Sequence, residues 1–233
     1  MHYPGERPIF DLYNVEEDIQ KALQTRVALK SGGYLMLDQT EAMATIDVNT
    51  GSYVGGRTLE DTVFKTNMEA TQVIARQLRL RNLGGIIIID FIDMQEAQHR
   101  EEVMSQFERM LERDHAKTKI TQVSELGLVE MTRKRTRESL EHLLCESCST
   151  CQGRGYVKTA ETVCYEIFRE ILRYARAFES KSEFTVIAHP LVIDRLLTAE
   201  APAVADLEHF IGRMIKFQVE NLYTQEQYDI ILS

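Results

Sequence analysis

The spacing of apolar positions changes period repeatedly along this chain, and each change marks an element. The densest apolar run, GGIIIIDFID from Gly84 to Asp93, sets four consecutive isoleucines between a Gly-Gly pair and an aspartate. A continuous run of this kind predicts a strand buried on both faces, in the middle of a sheet. Upstream, AMATIDVNT (42–50) alternates apolar and polar positions up to Asp47, then continues into Asn49, Thr50 and Gly51. Ser31-Gly32-Gly33 punctuates a further strand over 34–38, and the turn at 39–41 makes it the antiparallel neighbour of the Asp47 strand. Apolar or small side chains at Val63, Met68, Ala70, Val73, Ile74 and Leu78, with the polar Gln77 in the same series, recur near a 3.6 period, which predicts an amphipathic helix over 59–81 feeding the isoleucine strand. A second helix is expected over 95–114, then strands over 117–123 and 128–133.

After a cysteine-rich interruption the pattern resumes with a helix from Thr159, a strand over 184–188, helices over 190–197 and 204–214, and a strand over 216–219. Elements of both kinds packed in this order predict an α/β protein with a mixed sheet flanked by helices, and a smaller α/β piece beyond the cysteines. Residues 1–22 are an extended lead-in followed by a short amphipathic helix, and they read as the tail of something longer.

Composition narrows the class. The chain has 233 residues, 44% of them apolar, and no run long enough to span a bilayer. Without a signal-peptide pattern, and with three of four cysteines inside one short segment, the expected setting is a reducing cytoplasm. The net charge of −9 argues against a wholly nucleic-acid-binding surface. Residues 113–137, however, carry seven basic and three acidic side chains, a basic stripe on an acidic body. No aromatic cluster accompanies that stripe, so RNA affinity from base stacking is expected to be weak.

Asp47 and Asp90 each close a strand, where α/β sheets place their ligands. Two carboxylates with an amide neighbour, Asn49, suit Mg²⁺, which takes one or two protein carboxylates plus water and phosphate; ordinary capping of loops is the plainer reading. Asp93 is expected to cap the following helix. The glycines of the loop NTGSYVGGRT (49–58) suit a close approach of backbone to ligand. Cys148 and Cys151 have the spacing of a zinc knuckle. Zn²⁺ wants four ligands, so either Cys145 and His142 complete the site within the chain or two chains contribute a pair each; thiol redox chemistry is the rival. Cys164 falls on the apolar face of its helix and is expected in the core. His99, on the helix after the acidic strand, is more often solvated than catalytic. Arg133, Lys134 and Arg135 are candidate phosphate contacts.

Together the stretches IDVNTG, ARQLRLRNLGGIIIIDFIDM, LGLVEMTRKRTRESL and CSTCQGRG resemble the catalytic core of the ribonuclease E/G family. The resemblance implies a tail of a ribonuclease-H-like subdomain at 1–22, a deoxyribonuclease-I-like catalytic domain at 23–144, a zinc link at 145–158 and a small α/β domain at 159–233. It also implies that Asp47 and Asp90 bind Mg²⁺ with help from Asn49, that Lys117 contacts RNA, and that Cys148 and Cys151 share Zn²⁺ across a homodimer. The implied activity is Mg²⁺-dependent endonucleolytic cleavage of single-stranded RNA, of ribosomal precursors or messengers, to 5′-phosphate ends. The family's N-terminal RNA clamp and 5′-end sensor have no counterpart in this sequence. Two further readings stay open: a catalytically idle, zinc-linked dimerisation or RNA-scaffold module, and a phosphoesterase for small substrates, which the basic stripe disfavours.

Overall fold

The computed structural model describes residues 3, 5–51, 58–124, 127–177 and 183–232, which form two compact units, 1–146 and 147–233. Residues 52–57, most of the predicted glycine loop, lie outside the described residues. Among the described residues no helix is long and apolar enough to cross a membrane.

The first unit opens with helices α1 (Ile9–Leu12) and α2 (Val15–Ala22). Its six-stranded sheet comprises β1 (Arg26–Ala28), β2 (Tyr34–Gln39), β3 (Met43–Asn49), β4 (Gly85–Asp90), β5 (Thr118–Val123) and β6 (Val129–Arg133), in the order β1-β2-β3-β4-β6-β5. Strands β3 and β4 are parallel and every other pairing is antiparallel. The parallel pair is joined by α3 (Leu59–Leu80), capped by Thr58, whose hydroxyl accepts from the Asp61 amide. Helix α4 (Ala97–Leu111) follows β4, and a short helix, α5 (Leu140–Leu144), closes the unit.

The core lies on one side of this sheet. Leu35, Ile46, Val48, Ile87, Ile89, Val129 and Met131 pack there with Ala70, Ile74 and Leu78 of α3 and Val103, Phe107 and Leu111 of α4. This corrects the expectation of a strand buried on both faces. Ile87 and Ile89 are fully buried, whereas Ile86 is 47% exposed and Ile88 half-buried. Strand β4 is central, as expected, but α3 and α4 both pack on the face that holds Ile87 and Ile89, so alternate isoleucines face away from the core. Its Gly-Gly start has a steric cause: a Cβ on Gly84 would stand 2.6 Å from Cγ of Arg135, and Gly85 takes φ +93°.

The second unit has a three-stranded sheet, β8 (Ile215–Val219), β7 (Phe184–Ala188) and β9 (Tyr228–Leu232), with β7 central, parallel to β8 and antiparallel to β9. Helices α6 (Ala160–Ala177), α7 (Pro190–Leu197) and α8 (Ala201–Ile211) complete it. Its core is built on Val163, Ile167, Ile171, Phe184, Val186 and Leu196. The helix expected over 204–214 starts at Ala201, with Pro202 in its first turn, and stops where Gly212 adopts φ +67°. Cys164 is in this core, where burial pushes its thiol up to about 11.

Candidate active site

Strands β3 and β4 run parallel and end together, so Asp47 and Asp90 are direct register partners. Alternation puts both carboxylates on the face away from the helices, because Ile46, Val48 and Ile89 point into the core. Neighbouring strands lie about 4.8 Å apart, so the two side chains leave the sheet side by side. Asn49, two residues beyond Asp47 and on the same face, donates from Nδ2 to Asp47 Oδ2 at 2.8 Å. Partial burial, then the charges of Asp47 and Asp93, push the Asp90 carboxyl above the usual range. That repulsion is the electrostatic mark of a place where a cation would be welcome. Behind Asn49 the chain is close-packed: a Cβ on Gly33 would stand 2.6 Å from the Asn49 carbonyl oxygen.

Segment 91–96 leaves this site under tight control from α3. Asn67, fully buried, donates from Nδ2 to the Ile92 carbonyl at 2.8 Å and accepts from the Ile92 amide at 3.1 Å. It thereby extends the backbone pairing just past Asp90. The Glu60 carboxylate accepts from the Gln95 and Glu96 amides and lies 3.1 Å from Nδ1 of His99, whose ring stacks on Phe64 at 4.2 Å. Partial burial alone would raise the Glu60 carboxyl, but the two amides and His99 outweigh it and hold it below the ordinary range. His99 is thus engaged in the fold rather than solvated. Asp93 is exposed, and the α4 N-cap is Glu96, which has no side-chain cap; Glu60 takes the amides that Asp93 was expected to cap.

The basic candidates divide. Arg133 alternates inward with Val129 and Met131, and is 5% exposed. Its Nε donates to Asp114 Oδ2 at 2.7 Å, its Nη2 to Asp114 Oδ1 at 3.2 Å, and its Nη1 to the Leu83 carbonyl at 2.7 Å. A guanidinium so occupied has no free edge for a phosphate, which removes Arg133 from the candidate contacts. Arg135 spends its Nε on the Gly84 carbonyl at 3.0 Å but stays exposed. Lys117 and Lys134 are exposed, paired through the Lys134 amide and the Lys117 carbonyl. By alternation they share the face of Asp47 and Asp90, yet Arg133 pairs with Gly85, so they stand at the opposite end of β4 from Asp90. The basic group is not beside the carboxylates but about 20 Å away along the direction of β4, at about 3.3 Å per residue.

In the second unit, Cys148 is exposed and Cys151 partly so. Backbone amides of Cys151 and Thr150 point at the Cys148 sulfur and lower its thiol below the ordinary value. The turn continues through residues of positive φ at Gln152, Gly153 and Gly155. Glu226 fastens it, accepting from Arg154 Nη2 at 2.5 Å and the Lys158 amide at 2.6 Å. Among the described residues no three His, Cys, Asp or Glu side chains group as metal ligands. In the first unit, His142 Nδ1 lies 3.1 Å from the hydroxyl of Ser139, the cap of α5.

Fold and site together define an α/β protein that presents a register-paired carboxylate dyad with an amide on the uncovered face of a mixed sheet. The ribonuclease E/G family model matches residues 1–136, and the chain belongs to that family. It is 61% identical over 231 residues to ribonuclease G of Salmonella typhimurium and 59% identical to that of Escherichia coli K12, matches that cover 99% of this chain and 47% of each relative. It is 37% identical to ribonuclease E of Haemophilus influenzae, over 88% of this chain and 22% of that one. The chain thus spans about half the length of the ribonuclease G relatives.

Proposed function

We propose that the chain is the catalytic core of a Mg²⁺-dependent endoribonuclease that hydrolyses phosphodiesters in single-stranded RNA and leaves 5′-phosphate and 3′-hydroxyl ends. The observation that carries this reading is the register pair Asp47–Asp90 with Asn49 fixed on Asp47, in a chain of the ribonuclease E/G family. Two carboxylates and an amide fit Mg²⁺, a hard cation that keeps waters and substrate phosphate in its remaining positions. When bound there, the ion supplies a water of lowered pKa and a counter-charge for the phosphate. Asp47 and Asp90 hold it, Asn49 fixes the Asp47 rotamer, and Asn67 holds the chain beyond Asp90. Lys117, Lys134 and Arg135 steer the RNA backbone from the far end of the face.

On this reading residues 23–144 correspond to a deoxyribonuclease-I-like catalytic domain, 1–22 to the tail of a ribonuclease-H-like subdomain, 145–158 to a zinc link and 159–233 to a small domain. The Cys148–Cys151 turn, with amides aimed at the first sulfur, suits half of a tetrathiolate Zn²⁺ site that a second copy completes, making a cytoplasmic homodimer.

Cleavage of a single-stranded oligoribonucleotide with and without Mg²⁺ is the test. Asp47→Asn and Asp90→Asn are expected to abolish Mg²⁺-dependent cleavage without a loss of folded structure, since neither empties core volume. Near wild-type cleavage by either variant overturns the metal assignment. A wild-type chain that binds RNA but never cuts it favours the alternative, a zinc-linked scaffold.

A further inference from the structure

One cationic and aromatic pair on the carboxylate face is not used by the site described above. Arg26, exposed on the edge strand β1, lays its guanidinium over the ring of Tyr34, 3.9 Å from the centroid. The register ties this pair to the site: Arg26 pairs with Met36, Met36 with Asp47 and Asp47 with Asp90, one row across four strands, while Tyr34 pairs with Asn49. Alternation therefore places Arg26 and Tyr34 on the face of the carboxylates, with Tyr34 one strand from Asn49. Among the described residues no carboxylate lies within ion-pair distance of Arg26. An Arg held over an aromatic ring offers a planar cation on which a base can stack, with N–H edges left for a phosphate.

We infer that Arg26 and Tyr34 form a nucleotide-binding subsite, which stacks one base of single-stranded RNA flanking the scissile phosphate. The inference rests on the endoribonuclease reading and adds to it the element that the basic stripe lacks, a stacking platform. It also assigns the ligand: charge and planarity together favour a nucleobase with its phosphate over an acidic peptide, which would need only the charge.

The test is an abasic scan. A short single-stranded oligoribonucleotide, and a series with one abasic residue moved along it, are titrated with the chain in Mg²⁺-free buffer by fluorescence anisotropy. The wild-type chain is expected to lose roughly five- to 150-fold in affinity at one position, the worth of one stacked base. Tyr34→Leu and Arg26→Gln should each bind the parent RNA more weakly and lose the dependence at that position, and Tyr34→Phe should keep it. Circular dichroism establishes that the variants are folded, and Arg26→Gln, at an exposed edge, decides if Tyr34→Leu is not. A flat profile in a wild-type chain that binds the parent RNA, or a profile unchanged in Arg26→Gln, overturns the subsite and leaves the nuclease reading intact. Failure of the wild-type chain to bind the parent RNA at low salt overturns both.

Discussion

Removing the partner of Arg133 is the perturbation whose outcome separates a structural arginine from an RNA contact. In Asp114→Ala the guanidinium would keep the Leu83 carbonyl but lose both carboxylate bonds while its surroundings stay closed: both side chains of the pair are 4% exposed. Breaking a buried ion pair from one side costs about 3–5 kcal/mol, because a charge is left desolvated and uncompensated. At roughly 2–4 °C per kcal/mol for a unit of this size, the first unit should melt about 6–20 °C lower. Thermal unfolding followed by circular dichroism reads this directly. Arg133→Met should be similarly costly, since it orphans Asp114. The double variant Arg133→Met, Asp114→Leu should recover much of the loss, because apolar groups often replace a buried pair at little cost.

The same pair fixes a pH dependence. Burial alone would raise the Asp114 carboxyl, but the bonds from Arg133 and the Ala116 amide outweigh it and hold it below the ordinary value. A folded pKa below the unfolded one, about 3.9, means the stabilisation is fully present above that value and fades as pH falls through the folded pKa. The stability gap between wild type and Asp114→Asn should therefore be constant from pH 6 to 8 and narrow below about pH 4. A melting shift under about 2 °C, coupled to weaker RNA binding at neutral pH, would refute the assignment and return Arg133 to the surface.

Asn67→Ala should leave the Ile92 amide and carbonyl without their partner, at about 1–3 kcal/mol, and speed hydrogen exchange at the Ile92 amide; an unchanged exchange rate would count against the hold of Asn67 on Ile92. Its cleavage rate should fall further than its stability explains, and saturating Mg²⁺ should restore part of it. Cys148→Ser or Cys151→Ser should release Zn²⁺ and shift a dimer toward monomer in analytical ultracentrifugation, with about half an ion per chain in the wild type, as a four-ligand site shared by two pairs requires. One ion per monomer would point to ligands within the chain.

Period and punctuation were enough to read the two acidic strands and the helix between them, because each strand end is a local pattern: alternation up to Asp47, an apolar run up to Asp90; their parallel pairing comes from the structure. What that reading lacked was sidedness. Four isoleucines look alike in sequence, and only the placement of α3 and α4 on one face exposes Ile86 and half-exposes Ile88. Arg133 was within reach, since Val129, Met131 and Arg133 share one parity in β6 and two of the three are apolar. Its partner Asp114, nineteen residues away, was not, because no local period links a helix terminus to a strand. Asn67 also left a trace: it sits four residues after Val63 and three before Ala70 on the buried stripe of α3, where an amide needs a backbone to satisfy it. Strands β1 and β9 escaped because three residues are too few to show a period and YDIIL sets two isoleucines side by side, although burial alternates along both strands.

The uncovered face also sets a length requirement on any RNA that uses all of it. Carboxylates occupy one end of β4 and Lys117 and Lys134 the other, with Ile86 and Ile88 between them. The span is about 20 Å, and at roughly 3.4 Å per stacked nucleotide a strand of about six nucleotides covers it. Oligonucleotides shorter than this should reach the carboxylates without the lysines. Each phosphate neutralised contributes about 0.7 to the slope of log affinity against log salt on a single strand, so engaging both lysines should add about 1.4. Binding isotherms for strands of three to ten nucleotides at several salt concentrations would show that increment appearing at about six. In Lys117→Gln, Lys134→Gln it should be absent at every length, while Arg133→Met, once cooled below its lowered melting point, should show it unchanged. A slope independent of length in the wild type would mean that the RNA does not run along β4, and that the lysines serve some other contact.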